Sequence, residues 1–204
     1  MNSKTTRTAR RQARPLDIDR ISKAALDLVD AEGMSALSAR RLAAALGCEA
    51  MSLYNHVANM SAVHDLIVDR LLGSLLTPKQ KLPGDPRKAI SALAQSYLTL
   101  ATEHPNAFPL IAMRRWRTPN ALIFAAQLIE RLQAMGHPPR AALRQMRILS
   151  AYVHGAGMAL AAWREAPEDA NQNDLAVRGD LYAGLASLIE SSLPRRGRLR
   201  LQDE

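Results

Sequence analysis

The stretch SARRLAAALGCEAMSLYNHV, residues 38–57, decides the fold. Ser38 is a good N-cap for a short helix, and Gly47 supplies its C-terminal stop. A second short helix is predicted over about 49–56, with Leu53 facing inward. Two short helices joined by a glycine turn are typical of a helix-turn-helix, whose second helix enters the major groove of DNA. An ordinary pair of packed helices has a similar pattern, so the pattern alone leaves both interpretations open.

Amphipathic helices flank this pair. One is opened by Asp17 or Asp19 and ended by Gly33, and another begins after Asn59. No strand pattern occurs anywhere in the sequence. The fold class is therefore predicted to be all-α, with about nine helices. The helices of the second half are predicted at about 87–103, 107–113, 118–135, 138–164 and 174–192.

Proline and glycine residues that interrupt the helical pattern suggest two folded units. Pro78, Pro83, Gly84 and Pro86 interrupt the helical pattern, and the first 14 residues carry basic side chains but no acid. The predicted division is a disordered basic arm over 1–15, a DNA-binding unit over 16–76, a hinge over 77–86, a helical dimerisation and effector-binding unit over 87–193 and a basic tail over 194–204.

Composition narrows the class of protein. The chain has 27 Lys and Arg against 19 Asp and Glu, a formal charge of +8, which favours a polyanionic partner and nucleic acid first. No apolar run approaches the roughly 18 residues of a membrane span, so a cytoplasmic protein is expected. Cys48 is alone, which excludes an intramolecular disulfide, and the His residues lack metal-binding spacing. We expect neither a metal nor a cofactor.

Three motifs carry a family resemblance. They are ALDLVDAEG at 25–33, SARRLAAALG at 38–47 and SLYNHV at 52–57. On these motifs the chain, from about Leu16 to Leu72, resembles the DNA-binding domain of the TetR (tetracycline repressor) family. The resemblance implies that the following residues contact DNA: Arg40, Ala50, Met51, Ser52, Tyr54, Asn55 and His56.

Different roles are expected within this set. Arg40 can pair bidentately with guanine, whereas the resemblance places Tyr54 and His56 on phosphate oxygens, which hold register without reading sequence. The alternatives are that Tyr54 is a helix-packing aromatic and that His56 is a solvated surface residue. Many family members have a phosphate-binding Lys where this chain has Met60, and the basic arm is expected to compensate.

The long helix predicted over 138–164 resembles the dimerising helix of tetracycline-repressor-type C-terminal domains. Apolar residues recur along it in steps of four and three, which suits pairing with a second helix. Beside this seam runs a ridge of small residues: Ala151, Gly155, Ala159 and Ala162. The alternative is that both faces belong to the core of one monomer. The predicted dimer interface is Leu149, Val153, Ala156 and Leu160.

The resemblance also implies an effector cavity, carried over by approximate alignment. Its predicted lining is Leu93, Tyr97, Ile111, Trp116, Leu128 and Met146. In tetracycline-binding members a magnesium-coordinating His would fall near Ile111, so a metal–drug site is not expected here. An apolar or aromatic effector fits this lining better. The alternative is that these residues simply fill the core.

The predicted function is that of a ligand-responsive transcriptional regulator and not of an enzyme. As a repressor, it would bind a palindromic operator on double-stranded DNA as a homodimer and be released by a small effector. A nonspecific nucleoid-type DNA-binding protein is one alternative, suggested by the charge. An all-helical enzyme is the other, but the sequence offers no nucleophile with its base, no paired carboxylates and no phosphate-binding loop.

Overall fold

The chain is all-α, as the periodicity predicts. The computed structural model describes residues 15–76, 81–163 and 171–192, and these residues contain nine α-helices, one short 3-10 helix over Met34–Ala36 and no strand. The α-helices are α1 (Ile18–Glu32), α2 (Ala39–Leu46), α3 (Ala50–Leu53), α4 (Met60–Ser74), α5 (Pro86–Glu103), α6 (Phe108–Met113), α7 (Pro119–Ala134), α8 (Pro139–Trp163) and α9 (Asn171–Ser191).

The ends of the first helices are set by local residues. Asp17, Ser38 and Asn59 each accept a hydrogen bond from the backbone N–H three residues later, which satisfies one free donor at the start of α1, α2 and α4. Gly33 and Gly47 stop α1 and α2 at φ angles of 81° and 68°, a region that favours glycine. The predicted caps and stops are therefore confirmed.

The predicted end of α3 is wrong. The helix expected over 49–56 ends at Leu53, and the chain continues in tight turns. The N–H groups of His56 and Val57 both donate to the carbonyl oxygen of Leu53, at 2.9 and 3.0 Å. This tightening buries Val57 and leaves His56 outside. Other predicted boundaries differ from the observed ones by only a few residues.

Helix α4 joins the two halves of the chain. It packs against α1 on the N-terminal side and against α6 and α7 on the C-terminal side, so the apolar core is continuous from Ile21 through Leu71 to Leu149. Helices α5, α7 and α8 form the centre of the second half. Most of the predicted basic arm, the predicted tail and residues 77–80 of the predicted hinge lie outside the described residues. The division into units stays a prediction.

Candidate nucleic-acid interface and effector cavity

The short helices α2 and α3 divide their side chains between the core and the exterior. Leu42 and Leu53 are buried, and α2 packs against both α1 and α3. Met51 is 73% exposed and Tyr54 is 42% exposed. We call the exposed set the α2–α3 surface, and it consists of Arg40, Met51, Tyr54, Asn55 and His56.

The two adjacent arginines of α2 have different surroundings. The guanidinium of Arg41 donates to both carboxylate oxygens of Glu32 at the end of α1. That hydrogen bond, together with the charge of Arg41, lowers the pKa of Glu32. Arg40 is exposed and makes no ion pair with any residue in the described ranges. Of the two, Arg40 has the guanidinium that is available to a partner.

The structure bears on the alternatives weighed for Tyr54 and His56. Tyr54 is exposed and is not among the side chains that pack against the core, so the helix-packing alternative loses its basis. His56 is exposed, which fits both a DNA contact and a solvated surface residue. Ala50 and Ser52 are half-buried, and Ala50 packs against the core. These two residues therefore expose less surface to a partner than Met51 and Tyr54 do. DNA contact by all of these residues stays a prediction.

In the second half, aromatic side chains from α5, α6, α7, α8 and the α6–α7 connection meet around Tyr97. The ring centroid of Tyr97 lies 5.3 Å from that of Phe108, 6.0 Å from Trp116, 6.2 Å from Phe124 and 5.6 Å from His154. The distances are those of favourable ring contacts. The rings therefore form one connected cluster across the second half of the chain.

A small cavity, the aromatic cavity, lies beside this cluster. It has room for about one water molecule, roughly 20 Å³. Four of the six residues predicted to line an effector cavity do line it: Leu93, Tyr97, Trp116 and Leu128. The two remaining residues do not. Ile111 is fully buried elsewhere in the core, where its carbonyl oxygen accepts a hydrogen bond from Nε1 of Trp116 at 3.1 Å, and Met146 lines a neighbouring groove.

That groove, the α7–α8 groove, is open to solvent and has a volume of about 690 Å³. Apolar residues of α7 and α8 form its walls, and Arg114, Arg115 and Arg147 also line it, whereas no Asp or Glu of the described ranges does. Trp116 and Ser150 line both the groove and the aromatic cavity. The two spaces are therefore neighbours, separated by these side chains.

Two polar atoms near the cavity have no hydrogen-bond partner among the described residues. They are Oη of Tyr97 and Nε2 of His154, and both atoms are buried. Burial raises the pKa of Tyr97 and lowers the pKa of His154, so both side chains are neutral at physiological pH. Buried polar atoms normally find a partner, so these two are candidates for ligand contact. The sequence analysis did not select His154.

Polar contacts tie α4 to the second half of the chain. Nε of Arg114 donates to Asp65 at 2.8 Å, and a terminal nitrogen of the same guanidinium donates to Oγ of Ser61 at 2.9 Å. The backbone N–H of Asn120 donates to Oδ1 of Asp69 at 2.8 Å, and its side-chain amide donates to Oδ2 at 3.0 Å. Trp116 lies between Arg114 and Asn120 in the chain. The sequence analysis did not find these contacts.

A second link joins α1 to the connection between α5 and α6. Nδ1 of His104 lies 2.7 Å from Oδ2 of Asp30, and the amide of Asn106 donates to the carbonyl oxygen of Asp30 at 3.0 Å. The N-terminal helices are therefore held to the second half at the end of α1 and along α4.

The four residues predicted for the dimer interface face the core of the chain. Leu149, Val153, Ala156 and Leu160 are all buried within the single chain, because α5, α6, α7 and α9 cover that side of α8. The adjacent ridge of small residues is the side that remains available. Ala151, Gly155 and Ala162 are exposed, and Ile148 and Met158 are exposed large apolar residues on the same helix.

The described residues contain neither a cluster of metal ligands nor a membrane-spanning helix. Among the described residues, no three His, Cys, Asp or Glu side chains come together as metal ligands would. None of the helices in the described ranges is long and apolar enough to cross a bilayer.

Comparison with known proteins finds similar transcriptional regulators. No protein-family model matches the sequence. It is 32% identical, over 153 residues and 73% of its length, to the HTH-type transcriptional repressor DrrR1 of Streptomyces coeruleorubidus, and 33% identical, over 158 residues and 78% of its length, to an HTH-type transcriptional regulator of Saccharopolyspora erythraea. The structure superimposes with a TM-score of 0.73 on TetR from Acinetobacter baumannii AYE, a variant solved in complex with minocycline. That match has 28% identity and covers 87% of this chain and 96% of that one. The chain has the fold of the TetR-family regulators.

The resemblance found in the sequence motifs is confirmed. The named relatives are transcriptional regulators, not enzymes. The chain spans 57% and 66% of the lengths of DrrR1 and of the S. erythraea regulator.

Proposed function

We propose that this chain is a transcriptional repressor that binds a palindromic operator as a homodimer and is released from it by a small aromatic effector. One observation carries the proposal. The α2–α3 surface presents Tyr54, His56 and an Arg40 that makes no ion pair with any residue the structure describes. Helix α1 packs against both α2 and α4, and α4 is hydrogen-bonded to Arg114 and Asn120, which lie on either side of Trp116 in the chain.

The DNA-binding part of the proposal rests on the α2–α3 surface. Arg40 has the planar donor fork that suits a guanine edge in the major groove. Tyr54, Asn55 and His56 supply donors for phosphate oxygens and would fix the register of the helices on the duplex. Because the formal charge of the chain is +8, association with DNA is also favoured at long range.

The homodimer rests on the exposed ridge of α8. Exposed apolar or small side chains at 148, 151, 155, 158 and 162 follow steps of three and four, which matches the seam of a helix that pairs with another. Two copies related by a twofold axis would present two α2–α3 surfaces to one duplex, and a twofold protein matches a palindromic site.

The ligand response rests on the α4 contacts. Arg114 and Asn120 bond to carboxylates of α4, and Trp116, between them in sequence, lines the aromatic cavity. A ligand that displaces Trp116 would shift these contacts and change the position of α4. Such a ligand can lower operator affinity only if it binds the DNA-free shape of the dimer more tightly than the DNA-bound shape.

Selection of genomic fragments with the purified protein, followed by footprinting, tests the DNA-binding part. We expect protection of an inverted repeat whose half-sites lie about one helical turn apart or a multiple of it. Protection without sequence preference would contradict the proposal and indicate nonspecific packaging of DNA.

Light scattering tests the dimer with a matched pair of variants. Gly155→Arg places a charge on the ridge at a position where an added Cβ meets nothing within 4 Å, so the monomer should still fold. Thr99→Arg adds the same charge at an exposed position of α5. We expect a dimer mass for the original protein and for Thr99→Arg, and a monomer mass for Gly155→Arg. Equal masses for the two variants would contradict this assignment of the interface.

A further inference from the structure

We propose that the effector is a planar aromatic acid that also carries a phenolic hydroxyl or ring carbonyl, and not a purely apolar molecule. The oxygen would bond to Tyr97, which lines the aromatic cavity, and to His154, which lines the neighbouring α7–α8 groove. The acidic group would lie at Arg115 and Arg147, which line the same groove. This inference deepens the proposed function and rests on its effector site.

The inner end of the site calls for a hydrogen-bonding group. Oη of Tyr97 and Nε2 of His154 are buried and unpaired within the described part of the chain, and a buried polar atom without a partner is destabilising. Both side chains are neutral, so Tyr97 can donate to a ring oxygen while His154 accepts from or donates to the same edge. An apolar ligand would leave both atoms unpaired.

The outer end of the site calls for negative charge. Arg115 and Arg147 line the α7–α8 groove, are exposed, and make no ion pair with a residue that the structure describes. Arg114 lines the groove as well, but its guanidinium is already bonded to α4. Among the described residues, three arginines and no acidic residue line the groove, which favours an anionic ligand. A guanidinium binds a carboxylate through charge-assisted hydrogen bonds, often two in parallel.

The middle of the site is shaped for a flat ring. The aromatic cavity is too small for a ring by itself, whereas the neighbouring groove has a volume of about 690 Å³, within the range of small-molecule sites. Trp116 and Ser150 separate the two spaces. A turn of the Trp116 side chain would merge them and leave the indole stacked on the ligand.

A matched set of fused-ring probes tests the proposal by calorimetry on the full chain without DNA. The first probe is the hydroxynaphthoate whose hydroxyl and carboxylate lie at opposite ends of the ring system. The second is its neutral carboxamide, and the third is the naphthoate that lacks the hydroxyl. We expect the hydroxynaphthoate to bind most tightly, about fivefold or more above either of the others, because each of these lacks one of the two polar contacts.

Single substitutions test the contact of Arg147 with the carboxylate and the contact of Tyr97 with the hydroxyl separately. Arg147→Gln should weaken the hydroxynaphthoate by about fivefold or more and leave the carboxamide unchanged. Tyr97→Phe should weaken the hydroxynaphthoate and the carboxamide but not the naphthoate, since only the hydroxyl of Tyr97 is removed. The controls are Arg144→Gln, an exposed arginine of α8 outside the groove lining, and Tyr182→Phe, an exposed tyrosine of α9. Neither control should change any of the affinities.

Several results would overturn the inference. They are equal binding of the acid and its carboxamide, an Arg147→Gln effect no larger than that of Arg144→Gln, and absence of hydroxynaphthoate binding at millimolar concentration. Failure of the proposed function gives a different result. If the hydroxynaphthoate binds as expected but operator affinity is unchanged by it, the site stands and the ligand-responsive function fails.

Discussion

The α2–α3 surface and the aromatic cavity are assembled from different kinds of sequence information. The α2–α3 surface comes from 20 consecutive residues, 38–57, whose caps, glycine stop and inward-facing leucines are all local. The aromatic cavity is made by residues from 90 to 153, and its rings converge only because α5, α7 and α8 pack together. A local site can be predicted position by position, whereas a convergent site depends on packing that no single segment encodes.

The largest expected difference between the α2–α3 surface and the packed second half is in how much a substitution changes the free energy of unfolding. A Cβ on Gly157 of α8 would lie 2.2 Å from Cζ of the buried Phe108, so Gly157→Ala should lower the free energy of unfolding by about 1 to 3 kcal/mol. Met51→Ala, on the α2–α3 surface, should change it by less than about 0.5 kcal/mol. Urea denaturation measures both.

The control for Gly157→Ala is Gly179→Ala in α9. An added Cβ at Gly179 meets nothing within 4 Å, and replacing glycine by alanine inside a helix stabilises it by about 0.5 to 1 kcal/mol. If the two glycine variants gave the same change in unfolding free energy, the tight packing of Phe108 against α8 would be disproved.

The contact between α4 and α7 gives the next effect. Asn120→Ala removes the side-chain hydrogen bond to the carboxylate of Asp69, so the free energy of unfolding should fall by about 1 to 2 kcal/mol. Asn55→Ala, an exposed asparagine of the α2–α3 surface, is the control and should have little effect. Thermal unfolding followed by circular dichroism measures both variants, and equal stabilities would mean that the contact contributes nothing to the fold.

A smaller effect is expected from the hydroxyl of Tyr54. Tyr54→Phe keeps the ring and removes one donor to phosphate, so affinity for operator and for scrambled duplex should fall alike, by about 0.5 to 1.5 kcal/mol. Tyr97→Phe, in the aromatic cavity, should leave both DNA affinities unchanged. Binding isotherms at one salt concentration are needed. A loss confined to the operator would show that Tyr54 reads a base.

The smallest effect is a dependence of stability on pH. Burial lowers the pKa of His154, whereas the same side chain in the unfolded chain titrates near about 6.5. The contribution of His154 is therefore present above that pH and is lost as pH falls toward the lowered pKa of the folded state. His154→Phe removes it, so the unfolding free energy of the original protein minus that of the variant should decrease below about pH 6.5.

The comparison of the original protein with this single variant isolates His154. Burial also lowers the pKa of His64, but that residue is present in both proteins, so its contribution cancels. Chemical denaturation at several pH values measures the difference. A difference that is constant with pH would contradict the burial of a neutral His154.

The sequence was informative where a structural decision is local. Ser38 and Asn59 were predicted as caps, and Gly47 as a stop, because each acts on its own helix end. The end of α3 was predicted too late, because the burial of Val57 is a tertiary requirement. The contacts of Arg114 with α4 span 49 to 53 positions along the chain, and no spacing rule reaches that far.

The spacing of apolar residues predicted which face of α8 is buried, but not which helices cover that face. The seam of Leu149 and Val153 suits a second helix equally well in the same chain or in a partner, and the structure covers it with the same chain. His154 could have been found, because it follows Met146 by two steps of four on one side of the helix. Nε2 of His154 is a candidate ligand contact because it is buried without a partner among the described residues, and that fact depends on the packing of the helices.

The most direct test of the central claim compares the two adjacent arginines of α2 on operator and scrambled duplexes. Arg40 makes no ion pair with any described residue, whereas Arg41 is bonded to Glu32. Arg40→Ala should therefore weaken operator binding by about 1 to 3 kcal/mol and scrambled binding very little, whereas Arg41→Ala should have the smaller effect on the operator. An equal loss on both duplexes for Arg40→Ala, or a larger operator loss for Arg41→Ala, would contradict the assignment of the α2–α3 surface as the reader of a specific DNA site.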